Sequence, residues 1–219
     1  MKNLDHLLHY PNPWAAPVPP ASAAGMSTGF AELDALLPEA GWVQNALTEL
    51  LVPHEGVGAL QLLLPALARL SQQRRWIAWV APPYTPYAPA LAAAGVDPGR
   101  VLRVHPRAAD DGLSTVERCL RSGTCAAVLA WPMAGDGPAL RRLQAAAAEG
   151  RSWGILFRPD RLAGQPSAAV QRLKVARSPH GLELSLVKPR GGWAAGPVSL
   201  GMDRLLAQPA RDLCWRMTD

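Results

Sequence analysis

Between two apolar runs lies Pro53-His-Glu-Gly-Val-Gly-Ala-Leu60, a stretch whose residue types suit a loop that cradles a phosphate. Backbone N–H groups at a helix N-terminus attract an anion, and the catalytic form of that device reads Gly, four residues, then Gly-Lys-Ser/Thr. With Gly58 as the second glycine, the first falls on Pro53, the lysine on Ala59 and the hydroxyl on Leu60. No cation reaches a terminal phosphate and no hydroxyl holds Mg²⁺. The loop therefore reads as a degenerate phosphate loop, a frame without its chemistry. His54 and Glu55 could be taken as an acid–base pair. Neighbours on a loop do not usually face one another, however, and no nucleophile or orienting group accompanies them. They read as a solvated pair.

Other chemistries find less support. The three cysteines, Cys119, Cys125 and Cys214, are odd in number and lack metal-ligand spacing, which fits a reducing cytoplasm. No run of about 18 apolar residues is present, so no membrane contact is expected. The first ten residues carry Asp5 and too short an apolar part for a signal peptide. Charge is unevenly placed. Residues 1–150 hold eleven Lys/Arg against twelve Asp/Glu, residues 151–192 hold eight against two, and residues 193–219 balance at three and three. A basic segment of this kind has three readings: a solvated face, a grip on single-stranded DNA, or a grip on an acidic stretch of a protein.

The elements that position the loop follow from pattern. At 219 residues and 49% hydrophobic the chain reads as one domain with appendages. Residues 1–26 combine a short amphipathic helix with a proline-rich linker, residues 27–192 form the core, and 193–219 form a tail suited to docking a partner. Within the core, Leu47–Val52 reads as a buried strand and Ala59–Leu70 as a helix. Arg75–Ala81, Arg100–His105, Cys125–Trp131 and Ser152–Phe157 read as further strands. Helices are expected over Ala88–Ala94, Gly112–Ser122 and Ala139–Glu149, with a helical turn at Pro166–Gln171. Leu173–Ala176 and Leu182–Val187 read as a hairpin at the sheet edge. Strand–helix alternation argues for an α/β fold with a mainly parallel sheet.

Particular residues carry a resemblance. Ser27-Thr-Gly, Leu33-Asp34, Gly41 and Leu47-Thr-Glu-Leu resemble the opening of the RecA recombinase core. Gly41-Trp, Glu49-Leu, Gly56-Val-Gly, Gln61-Leu, Ala81-Pro-Pro-Tyr, Arg118-Cys-Leu-Arg-Ser-Gly, Trp131-Pro, Arg141-Arg-Leu-Gln and Lys188-Pro-Arg-Gly-Gly are together similar to the ImuA family. The resemblance runs from Ser27 to Gly192. It implies a RecA-like, mainly parallel sheet flanked by helices and a role as a non-catalytic adaptor of SOS-induced translesion synthesis. The implied partner is an ImuB-type Y-family polymerase homologue, with RecA and a DnaE-type polymerase as further candidates. ATP hydrolysis needs a phosphate-gripping lysine, an Mg²⁺-associated acid, a water-orienting group and a γ-phosphate sensor. Those positions fall on Ala59, Trp131, Pro83 and Pro159, so a pseudo-ATPase without cofactor is expected. Two connections, Pro132–Gly137 and Arg158–Gln165, are short for RecA-type DNA loops, which leaves DNA contact open. Candidate partner or phosphate contacts are Tyr84, Tyr87, Arg158, Arg161, Lys188, Arg190, Leu213 and Trp215.

Val116-Glu-Arg, Leu120-Arg-Ser-Gly and Ala126–Trp131 also resemble the SulA family, which inhibits cell division by binding FtsZ. SulA proteins are expected to lack most of the region before the second strand, which this chain has. A SulA-like inhibitor is therefore the alternative reading. An active RecA-family ATPase with an unusual loop is the third.

Overall fold

A computed structural model describes residues 25–106, 112–131, 135–187, 197–201, 203 and 205. Leu47–Val52 (β1) is enclosed by strands on both sides, pairing in parallel with Trp153–Pro159 (β5) and with Gln171–Ser178 (β6). Beyond β5 lie Cys125–Ala130 (β4), Trp76–Val80 (β2) and Val101–Val104 (β3), all parallel. Beyond β6 lie Gly181–Leu186 (β7) and Val198–Gly201 (β8), each antiparallel to its neighbour. The sheet order is β3-β2-β4-β5-β1-β6-β7-β8. The continuous apolar runs of β1 and β4 suit strands covered on both faces, and all six residues of β4 are buried.

Side chains alternate between two cores, as the pleat requires. On one face Leu50, Trp79, Leu129, Ile155 and Leu173 meet Ala31–Leu36 (α1) and Leu64–Ser71 (α2). On the other, Leu47, Val80, Val128 and Leu156 meet Gly112–Arg121 (α4) and Gly137–Glu149 (α5). The short helix Ala88–Ala93 (α3) follows β2. Asp136 caps α5 by accepting from the Ala139 N–H at 2.9 Å, and Pro138 sits in its first turn, where a missing N–H costs nothing.

The structure corrects the expected architecture. The sheet is mixed rather than mainly parallel and RecA-like. Only Pro179 and His180 separate β6 from β7, and so short a connection forces an antiparallel pair. The expected helix over Ala59–Leu70 is broken into a 3₁₀ segment, Ala59–Leu62, and α2. Pro65 lies at the start of α2 and cannot continue a helix from the residues before it. Pro166–Gln171 contains no helical turn; the 3₁₀ turn is at Asp160–Leu162, and Gln171 already belongs to β6.

Candidate functional site

The strands β1, β2, β4 and β5 end on the same side of the sheet, and the loops leaving them frame an open cleft of about 840 Å³. One wall is the loop after β1, including Pro53, Gly58, Ala59 and Leu60; the opposite wall includes Pro83 and Tyr84; Trp131, Pro159, Arg158 and Arg161 complete the rim and floor. The seven residues assigned to a degenerate nucleotide site are thus brought together.

The floor of the cleft is aromatic. Trp131 is 8% exposed and stacks on Phe157 with centroids 4.4 Å apart and planes 6° apart. Trp79 leans on Trp131 at 5.4 Å. A packed indole thus stands at the position assigned from the sequence to an Mg²⁺-associated acid. Ala59, at the lysine position, is buried in the core. Gly58 takes φ 102, the left-handed turn that glycine tolerates, and leads into a single 3₁₀ turn in which Gln61 N–H is donated back to Gly58 O at 3.0 Å. The Gln61 amide is thus taken up inside the turn. The expected frame of a degenerate phosphate loop, a glycine turn running straight into a helix, is corrected accordingly.

His54 and Glu55 are exposed, and the His54 ring reaches only the Glu55 carbonyl, at 2.7 Å. Tyr84 and Tyr87 are each 71% exposed, on a loop tied to β3 by Arg103 Nη1 donating to Thr85 Oγ1 at 2.7 Å. Among the described residues no group of three or more His, Cys, Asp or Glu could hold a metal. Among them, too, no helix is long and apolar enough to cross a membrane. Burial pushes the thiols of Cys119 and Cys125 above their ordinary value. Lys188, Arg190, Leu213 and Trp215, like the expected N-terminal helix, lie outside the described residues.

One polar cluster escaped the reading of the sequence. Glu49, fully buried on β1, accepts from Arg158 Nη1 at 2.6 Å, Arg172 Nε at 2.7 Å and Ser167 Oγ at 2.7 Å. Arg158 also donates to Gly135 O, and Arg172 to Leu162 O and Ala163 O. A glutamate inside the apolar run Leu-Thr-Glu-Leu-Leu-Val was the available signal, because a buried charge requires partners. Two cations of the basic segment are therefore internal, and the solvated-face, DNA and acidic-partner readings do not apply to Arg158 and Arg172.

A family model described as "Cell division inhibitor SulA" matches residues 45–154, half of the chain. The chain belongs to the SulA family. The SulA of Edwardsiella piscicida is 35% identical over 129 residues, covering 57% of this chain and 71% of that protein. The SulA of Serratia proteamaculans is 32% identical over 136 residues, covering 61% and 80%. A crystal structure of SulA from Pseudomonas aeruginosa aligns with 27% identity and a TM-score of 0.43, over 51% of this chain and 97% of that one.

The match overturns the leading expectation. Adaptor function in translesion synthesis and the ImuB-type, RecA and DnaE-type partners give way to SulA membership. The argument that set SulA aside also fails: the match opens at residue 45, so SulA proteins do possess β1, its exit loop and α2. The family is described by inhibition and not by a reaction, in line with a chain that is not an enzyme.

Proposed function

We propose that this chain inhibits cell division by binding FtsZ stoichiometrically, in the cytoplasm and during the SOS response, without turning over nucleotide. The observation that carries this reading is the SulA match over residues 45–154. The matched stretch contains the Pro82–Tyr87 loop with its two exposed tyrosines. Tyrosine supplies large contact area at low entropic cost and is enriched where binding energy concentrates. Tyr84 and Tyr87 are the side chains we assign to FtsZ contact, with Arg161, which lines the same cleft as Tyr84, for acidic groups. The core acts as the binding unit, with residues 1–26 and 193–219 as its appendages.

FtsZ polymerisation followed by light scattering, with GTP and increasing amounts of the folded chain, tests the reading. Polymer should disappear as the chain approaches equimolar ratio. Full polymerisation at equimolar ratio, with both proteins folded, excludes it.

A further inference from the structure

The sheet has an open margin at β3, which among the described residues pairs only with β2. Val104 O accepts from Ala81 N–H at 2.9 Å, so the neighbouring Arg103 turns its own N–H and C=O away from β2, to the open edge. Two large apolar side chains stand in solvent here. Leu102 is 44% exposed, and Trp76, at the start of β2, is 40% exposed. Leu102 is level with Ala78 and shares the face of Val104, which packs against the core under α4 and α5. Helix α4 packs on β4 and β2 and leaves Leu102 exposed. The charge around this patch has one sign. The Arg100 guanidinium lies over the Trp76 ring, 5.9 Å from its centroid, where cation–π attraction favours it. Residues 98–106 hold Arg100 and Arg103 and no carboxylate, and Arg74 is exposed two residues before Trp76. Asp97, the nearest acid in sequence, accepts from Gly99 N–H at 2.8 Å.

We propose that this margin binds an extended acidic segment of a partner protein, which lies beside β3 as an added strand. Main-chain pairing with Arg103 supplies affinity, and alternate side chains of the segment supply selectivity. One of them sets an apolar group on Leu102 and Trp76, and carboxylates meet Arg100, Arg103 and Arg74. Charge selects this occupant over a second copy of the chain. Two β3 edges brought together oppose arginine with arginine, and like charges across a strand pair repel. An acidic strand turns the same arginines into attraction and steers the encounter.

The test titrates the full chain into a fluorescein-labelled peptide, Glu-Asp-Val-Glu-Val-Glu-Val-Asp-Glu, and reads anisotropy; a peptide with Lys at every acidic position is the control. The acidic peptide should bind and the basic one should not. R100E/R103E and, separately, Leu102→Asp should each weaken binding about tenfold or more. Lys174→Glu reverses an exposed charge on β6, five strands from β3 and so roughly 24 Å away, and should leave binding unchanged. Bound peptide should slow hydrogen exchange at the Arg103 amide severalfold. No binding of the acidic peptide up to about 1 mM, an equal loss in Lys174→Glu, or unchanged exchange at Arg103 overturns the proposal. So does a dimer of the chain, formed without peptide, that Leu102→Asp dissociates. No FtsZ is present, so the outcome is independent of the proposed target.

Discussion

Replacing Glu49 by Gln keeps the shape of the side chain and removes the charge that Arg158 and Arg172 share. Arg158 is 2% exposed and Arg172 8%, so neither can turn to water. Carbonyl partners remain to both guanidiniums, but those oxygens carry only partial charge. The substituted amide keeps one oxygen for the three donors and turns its NH2 toward one of the two guanidiniums. Removing one partner of a buried ion pair costs about 3–5 kcal/mol. At this chain length about 2–4 °C of melting temperature accompanies each kcal/mol, so Glu49→Gln should lower the midpoint by roughly 6–20 °C. Urea unfolding followed by far-UV circular dichroism reads the free energy directly, with the slope checked for two-state behaviour. Replacing all three charges, as E49L/R158M/R172M, should recover much of the loss, because apolar groups of similar volume often match a buried ion cluster. If Glu49→Gln stays within about 1 kcal/mol of the parent, the cluster is not desolvated as described and the reasoning is wrong.

Three further outcomes follow from other sites. Gly150→Ala should cost about 1–3 kcal/mol, since its Cβ would lie 1.9 Å from the Leu120 carbonyl oxygen. Gly164→Ala, with nothing within 4 Å, should be close to neutral, and equal urea midpoints for the pair would contradict this. The buried thiols Cys119 and Cys125 favour their neutral form in the folded chain. Their contribution is whole below the ordinary value of 9.0 and is lost as pH rises above it; unfolding at pH 8 and pH 10 of the parent against C119A/C125A should show the difference, and parallel curves would refute it. Tyr84→Ala with Tyr87→Ala should leave stability within about 0.5 kcal/mol while weakening FtsZ inhibition at least tenfold; undiminished inhibition would remove these side chains from the interface.

The core was largely legible from residue pattern. The run Cys125–Ala130 is apolar throughout and is buried throughout, and the runs Leu173–Ala176 and Leu182–Val187 marked the hairpin. That Pro53, Ala59 and Leu60 share one loop could be read too, and the structure places all three along the cleft. Its conformation could not: the break between the 3₁₀ segment and α2 depends on Pro65 and on how Leu62 and Leu63 bury. The Glu49 cluster joins residues 109 and 123 positions apart, and no local pattern pairs them. The error of family arose from motifs shared across related α/β cores. Each quoted motif is only a few residues long, and the SulA match over residues 45–154 decided the family.

The place of β1 at the middle of the sheet bears on how the chain is made. Thr48 pairs on one side with Ile155 and on the other with Gln171. At about 5–20 residues per second, the 123 residues between Thr48 and Gln171 take roughly 6–25 s to synthesise. Until β5 emerges the apolar strand that will become the centre of the molecule has two open edges, and until β6 emerges it still has one. Such edges can pair with other chains, and the exposure ends only when β6 has emerged. A ribosome stalled before residue 171 would present an aggregation-prone fragment instead of a smaller inhibitor.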